Sequence, residues 1–337
     1  MKALDLFAGA GGLSLGLIEA GLEVVAAVEC DGAAAATYRS LHPNTTILEQ
    51  DINTVDLSQF RGEIELVAGG PPCQPFSTGG LRRGAEDPRN GLPAMLAAIE
   101  LLHPRAVLLE NVPGLAGTQA RGCLLRLLRR LQMLGYEPEH RILDAADYGV
   151  PQRRRRLVIC ATKKPGFRFP EATHGPDAQR RWKVVNDVLD LEQTLGIANP
   201  SIVTYAKRPD LRPSPYDGHL FNGGGRPLDM AKPSRTILAS AGGNKTHFLD
   251  CGEVVADYHA HLMAGGKARR GRVPGARRLT VAESALLQSF EPATAFVGSR
   301  SQQYSQIGNA VPPLLAEAVG RSLLRHLRSV GYPSNRS

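Results

Sequence analysis

Residues 3–29 read ALDLFAGAGGLSLGLIEAGLEVVAAVE. An apolar run, Ala3 to Phe7, breaks at a glycine turn, and apolar residues then recur at helical spacing from Leu13 to Ala20. A second apolar run, Glu23 to Val28, ends on an acid, Glu29. Short apolar runs bounded by turn residues read as buried strands, and the 3.6-residue spacing between them reads as a connecting helix. The pattern repeats along the first half of the chain. Thr45–Leu48, Ile64–Ala68, Ala106–Leu109 and Leu157–Ala161 read as further buried parallel strands, with Ala33–Leu41, Leu92–Leu102 and Cys123–Leu134 as helices. This succession predicts an α/β fold, a doubly wound, mostly parallel sheet with right-handed crossovers.

The character changes after about Lys163. Residues 165–275 are rich in Gly, Pro, Arg and His, with isolated short strands such as Ser234–Ser240, and read as a second, irregular domain. Helical pattern returns at Val281–Gln288 and Leu314–Val330. The expected organisation is a catalytic domain at 1–164, a smaller domain at 165–275, and a return to the first domain at 276–337.

The 337 residues carry a net charge of +8. Arginines cluster at 153–156, at 180–181 and between Lys267 and Arg278, which favours a polyanionic partner over a solvated face alone. No apolar stretch is long enough to span a bilayer, and MKALDLFAG lacks the features of a signal peptide, so a cytosolic protein is expected. The five cysteines are scattered, without a CxxC pair, which argues against a disulfide framework or a zinc site.

An open parallel sheet binds ligands outside the carboxyl ends of its strands. Those ends carry Phe7–Gly12, Glu29, Asp51, Gly69–Cys73 and Glu110–Val112. Gly9 and Gly11 fit the start of a dinucleotide fingerprint, but its last glycine position is Ser14. With Glu29 placed to take ribose hydroxyls, an adenosyl ligand without a pyrophosphate suits this turn better than a nicotinamide dinucleotide. Taken singly, Glu29 and Asp51 read equally well as surface acids. Cys73 lies in GGPPCQPFS (69–77), between prolines and beyond an apolar run, so its sulfur is presented rather than packed. A thiolate attacking an electron-rich heterocycle needs a partner to hydrogen bond or protonate the ring, and Glu110 can supply it.

These residues resemble the DNA (cytosine-5) methyltransferases of bacterial restriction-modification systems. The similar segments are DLFAGAGGLSLGL (5–17), Glu29, Asp51-Ile52, GGPPCQPFS, ENV (110–112), QRRRR (152–156), RRLTVAESALLQSF (277–290) and QIGNAVPP (306–313). They occur in family order over almost the whole chain and leave out only about 165–275, where the family keeps its variable target-recognition domain.

The resemblance implies S-adenosylmethionine as cofactor, touched by Phe7, Gly9, Gly11, Gly12, Glu29, Asp51, Ile52, Gly69, Pro71, Leu92, Asn309 and Ala310. It implies Cys73 as nucleophile at cytosine carbon 6, Glu110 at ring nitrogen 3 and the exocyclic amine, and no metal. Asn111 belongs to the acid motif, Arg154 and Arg156 would hold the base's carbonyl or its phosphates, and Gln152 would support the active-site loop. The partner is double-stranded DNA with the target base flipped out, and the enzyme is expected to act as a monomer. Ser77–Gly91, with Arg82 and Arg83 among glycines, reads as a lid closing over DNA, Ser77 included. Asn244, Lys245 and His247 are the candidates for reaching base edges or phosphates. The alternatives are a tRNA cytosine-5 methyltransferase, a nucleotide-binding oxidoreductase and a catalytically silent DNA-binding protein.

Overall fold

The computed structural model describes residues 1–72 and 91–331. They form two compact units. The first takes in 1–149, 154–173 and the chain from Ala310 onward, and the second takes in 150–153 and 174–309.

The first unit is built on seven strands: β1 (Lys2–Leu6), β2 (Glu23–Val28), β3 (Thr46–Leu48), β4 (Leu66–Gly69), β5 (Ala106–Asn111), β6 (Glu137–Asp144) and β7 (Arg155–Thr162). Their order is β3-β2-β1-β4-β5-β7-β6. The five strands from β3 to β5 are parallel, and both β7 pairings are antiparallel. The helices are α1 (Gly12–Glu19), α2 (Gly32–Leu41), α3 (Leu92–Leu102), α4 (Arg121–Met133) and, from the end of the chain, α8 (Pro313–Ser329). The apolar core joins the inner strands, among them Leu4, Val67 and Leu109, to Met95 and Ile99 of α3 and Leu127 of α4.

Leu157–Ala161 is a strand but not a parallel one: β6 enters β7 through a short connection, which permits only an antiparallel pair because a parallel one needs a long crossover. β6 itself, EPEHRILD, has no strand pattern in the sequence. It is the edge strand, six of its eight residues are not buried, and its polar composition hides it.

The chain's return depends on small residues. A Cβ at Gly16 of α1 would lie 2.3 Å from the Pro313 carbonyl oxygen and 2.5 Å from the Ala316 Cβ, and one at Gly320 would lie 2.9 Å from the Ala20 Cβ. α1 and α8 therefore pack nearly backbone to backbone, which fixes the last helix against the first.

The second unit holds two antiparallel pairs, β8 (Tyr205–Asp210) with β9 (His219–Phe221), and β10 (Phe248–Asp250) with β11 (Ala276–Arg278). Its helices are α5 (Val254–Met263), α6 (Val281–Leu287) and α7 (Arg300–Asn309). Phe221, Phe248, Val255, Tyr258 and Leu262 form its core. Residues 276–309 lie in this unit instead of returning with the carboxyl-terminal part, because β11 pairs with β10 and Gly308 of α7 packs on the backbone of Leu238 and Ala239. Ser234–Ser240 is not a strand. Only Ser234 makes a bridge, to Gln152.

Candidate active site

The strand order reverses between β1 and β4, and the candidate residues gather on either side of that switch point. Phe7 takes a left-handed φ of 58°, which ends β1 abruptly, and Gly9 (φ 57°) and Gly11 (φ 88°) carry the chain into α1. A Cβ on Gly11 would strike the His42 ring at 2.3 Å. Gly9 faces open space, and its N–H donates to Glu29 Oε2 at 2.8 Å. Glu29 Oε1 accepts from the Asp31 N–H at 2.8 Å. Each Glu29 oxygen keeps a second lone pair, so the acid both shapes the turn and can still accept from a ligand. An open turn, an acid at the next strand end and glycine at closest approach together fit an adenosyl ligand.

The other cofactor candidates are placed as follows. Gly12 opens α1, and Asp51 is exposed with Oδ1 capped by the Asn53 N–H and side-chain amide. Ile52 lines a hollow of about 220 Å³ between residues 52–57 and α3, and is the only one of these candidates that does. Gly69 ends β4, where a Cβ would lie 2.3 Å from the Leu6 carbonyl oxygen. Pro71 and Leu92 are buried. Asn309 is exposed at the end of α7, and Ala310 is the first residue of the chain's return to the first unit.

At the neighbouring strand end Glu110 and Arg156 pair, with Nε 2.7 Å from Oε1 and each side chain 12% exposed. The approach falls short of hydrogen-bond geometry, so Oε1 retains unused acceptor capacity. A Cβ on Gly70 would lie 3.4 Å from Glu110 Oε2. The Asn111 amide donates to the Pro71 carbonyl at 3.0 Å, and the Gly91 N–H donates to the Pro72 carbonyl at 2.9 Å. The chain entering the stretch that holds Cys73 is thus tied to β5, and Pro72 and Gly91, on either side of residues 73–90, are tied to each other. Cys73, Ser77, Arg82 and Arg83, and the lid reading, fall on residues outside those described.

A model of the C-5 cytosine-specific DNA methylase family matches residues 1–325. The chain belongs to that family. It is 33% identical to the type II methyltransferase M.AplI of Arthrospira platensis, over 96% of this chain and 85% of that one. It is 31% identical to M.NgoMIV of Neisseria gonorrhoeae, over 97% and 98%. The Entamoeba histolytica methyltransferase EhMeth superposes with a TM-score of 0.71 at 15% identity, over 97% of this chain and 98% of that one, which supports the fold. The protein is a DNA cytosine-5 methyltransferase. Among its described residues no helix is long and apolar enough to cross a membrane.

Three of the methylase's candidates are placed differently from expectation. Arg154 is 1% exposed and donates from Nη2 to the Ala310 carbonyl at 2.9 Å, while its own N–H is held by Asp144. Burial and then the Arg156 charge oppose its charged form, and Glu110 supports it. It braces the returning chain at Ala310. Gln152 is fully buried. Its amide donates to the Leu287 carbonyl and to Gln288, and accepts from the Ile237 N–H, so it is a keystone of the second unit.

His247 turns inward instead of outward. Nδ1 accepts from the Arg226 N–H at 3.1 Å and Nε2 faces the Thr236 carbonyl at 3.3 Å, which requires the neutral tautomer with the proton on Nε2. Burial pulls its pKa down to about 4. Asn244 and Lys245 remain exposed on a 3-10 turn. They line a hollow of about 360 Å³ with Ala239, Ser240, Gly242 and Ser301. The turn is held from below: Gly225 donates to the Asn244 carbonyl, and the buried Arg278 donates to the Thr246 carbonyl at 2.6 Å and to Asn222.

Asp5 and Tyr38 do not stand out as site residues in the sequence. Ser14 departs from the glycine fingerprint, and its hydroxyl donates to Asp5 Oδ2 at 2.6 Å. A serine where a ligand fingerprint wants glycine was the available signal.

Proposed function

We propose that the enzyme methylates cytosine within one short sequence of double-stranded DNA, protecting host DNA in a restriction-modification system, and that it acts as a monomer in the bacterial cytosol. Relatives named as type II methyltransferases, matched over 85% and 98% of their lengths, support the biological setting. The observation that carries the chemistry is Glu110, paired with Arg156 beside Gly70 and joined through Asn111 to the residues that lead into Cys73.

In this reading the Cys73 thiolate adds to carbon 6 of a flipped cytosine. Glu110 engages ring nitrogen 3 and the exocyclic amine as negative charge develops on the ring. Carbon 5 then bonds to the methyl carbon as the carbon–sulfur bond of the donor breaks. Loss of the carbon 5 proton and expulsion of Cys73 restore the ring. Arg156 keeps Glu110 oriented, Asn111 ties the end of β5 to Pro71, and Arg154 braces the chain at Ala310. S-Adenosylmethionine supplies an electrophilic methyl group on a sulfonium. Phe7, Gly9, Gly11, Gly12, Glu29, Asp51, Ile52, Gly69, Pro71, Leu92, Asn309 and Ala310 are the residues we assign to its pocket. Asn244 and Lys245 are assigned to DNA contact from the second unit, joined by Ser77, Arg82 and Arg83.

The test is methyl transfer from labelled S-adenosylmethionine to unmodified bacterial DNA, read by bisulfite sequencing, with Cys73→Ser as control. Wild type should leave 5-methylcytosine at one recurrent short site and the control none. Modification of tRNA in place of DNA would overturn the reading.

A further inference from the structure

The glycine turn sits above a buried polar chain to which the reaction as described gives no task. Asp5 of β1 is 1% exposed, and Ser14 Oγ of α1 bridges its Oδ2, at 2.6 Å, to the Tyr38 hydroxyl of α2, at 2.8 Å. Asp5 Oδ1 is buried and has no hydrogen-bond partner. An ionised carboxylate with an unmet oxygen is costly in such a place, and an amide or an apolar residue would be cheaper.

The polar and titratable groups facing this chain are Ser14 on α1, Tyr38 on α2 with His42 just past its end, Thr45 against the Tyr38 hydroxyl, and Glu29 beyond β2. Burial pushes the Asp5 acid up to about 7, the Ser14 hydrogen bond opposes that, and the Glu29 charge adds to it. Tyr38 is raised out of range by burial, and His42 is pulled down to about 4, so neither ionises near neutrality. Among the described residues no basic side chain acts on Asp5. Its interaction with Glu29, whose oxygen holds the Gly9 N–H, puts Asp5 within electrostatic reach of the turn.

We propose, resting on the reading that S-adenosylmethionine lies at this turn, that Asp5 is the buried counter-charge of the sulfonium: protonated in the free enzyme, it releases its proton when the cationic donor binds. With Asp5 ionised, the Tyr38 hydroxyl donates to Ser14 and Ser14 donates to Asp5. Once the methyl group has left, the sulfur is neutral and Asp5 takes a proton back from water. The enzyme thereby holds the charged donor more firmly than the neutral product, and Asp5 is a positioning residue for the charge rather than a participant in bond making.

Calorimetric titration of the full chain without DNA, in buffers of different ionisation enthalpy, tests this. About one proton should leave per S-adenosylmethionine bound near pH 6, and about none per S-adenosylhomocysteine. The Kd for the donor should fall by up to about tenfold per pH unit between about pH 5.5 and 7, with that for the product nearly flat. Asp5→Asn should abolish both differences. Ser14→Ala, which keeps the acid, should retain proton release and move the pH dependence upward. Equal proton release for donor and product in wild type would overturn the proposal while leaving the cofactor reading intact. Failure of wild type to bind S-adenosylmethionine would overturn both.

Discussion

The Asn111 side-chain amide donates to the Pro71 carbonyl at 3.0 Å, and the same side chain's oxygen accepts from the Val112 N–H at 2.9 Å. One buried residue therefore joins the end of β5, where Glu110 stands, to the chain that runs into Cys73. Asn111→Ala leaves the Pro71 carbonyl without that donor, at a cost of about 1–3 kcal/mol. On the proposal that Cys73 is the nucleophile, kcat should fall by more than S-adenosylmethionine affinity does. Equilibrium binding alongside single-turnover methylation checks this.

Glu110 and Arg156 are each mostly enclosed, so removing either strands the other. Glu110→Gln should lower the methylation rate by about 10²–10⁴-fold, the range for a positioned acid or base. Arg156→Met should lower it through disordering of Glu110, and Arg156→Lys should recover only part, because ammonium lacks the planar guanidinium that now lies against Oε1. Trapping of Cys73 by a mechanism-based cytosine analogue in DNA would read the same order of variants.

Gly91 is confined by its neighbours: a Cβ there would lie 2.7 Å from the Pro72 Cδ and 2.9 Å from the Phe7 ring. Gly91→Ala should displace Phe7 or part the Pro72–Gly91 hydrogen bond. Overpacking of this kind costs about 1–3 kcal/mol. The expected result is a lower Tm together with weaker S-adenosylmethionine binding, measured by thermal unfolding with and without the cofactor.

His247 holds a folded pKa of about 4, below the ordinary value of 6.5. The unfolded chain therefore takes up the proton first. The stability that neutral His247 contributes is complete above about pH 6.5 and is lost as pH falls toward 4, by about 3 kcal/mol. Asp5 acts in the opposite sense. Its folded pKa is raised to about 7, so its contribution is complete below the ordinary carboxylate value and lost as pH rises through 7. In urea unfolding between pH 4 and 7, His247→Asn should flatten the acid-side loss relative to wild type, and Asp5→Asn should steepen it.

Lys245 is exposed on a turn braced by Arg278 and by the backbone of Gly225. Lys245→Ala should weaken DNA binding and reduce the slope of log affinity against log salt by about 1. His247→Asn should leave that slope unchanged, since the ring faces the Thr236 carbonyl. Filter binding over a range of salt concentrations distinguishes the two.

The alternating apolar runs of the first half determined the parallel core of the sheet, because a strand buried on both faces has to be apolar throughout. The glycine turn, Glu29, Asp51, Gly69 and Glu110 were legible as one rim for a similar reason: strand ends can be counted along the chain. β6 was not legible, since an edge strand can be polar, and the antiparallel direction of β7 depends on pairing that no local pattern encodes. In the second unit neither α5 nor α7 was legible: α5 lies within a stretch whose Gly, Pro and Arg content reads as irregular, and α7 is too polar to reveal which face it buries.

The sequence by itself determined the chemistry, since residue types at strand ends and the order of the motifs are properties of the chain. Only the tertiary structure decided which polar residues face inward. Arg154, Gln152 and His247 have side chains of the kind that binds substrates, and each is used to satisfy buried carbonyl or amide groups instead. A polar side chain's direction depends on which backbone groups folding leaves unpaired, and those arise only when segments distant in sequence are packed together.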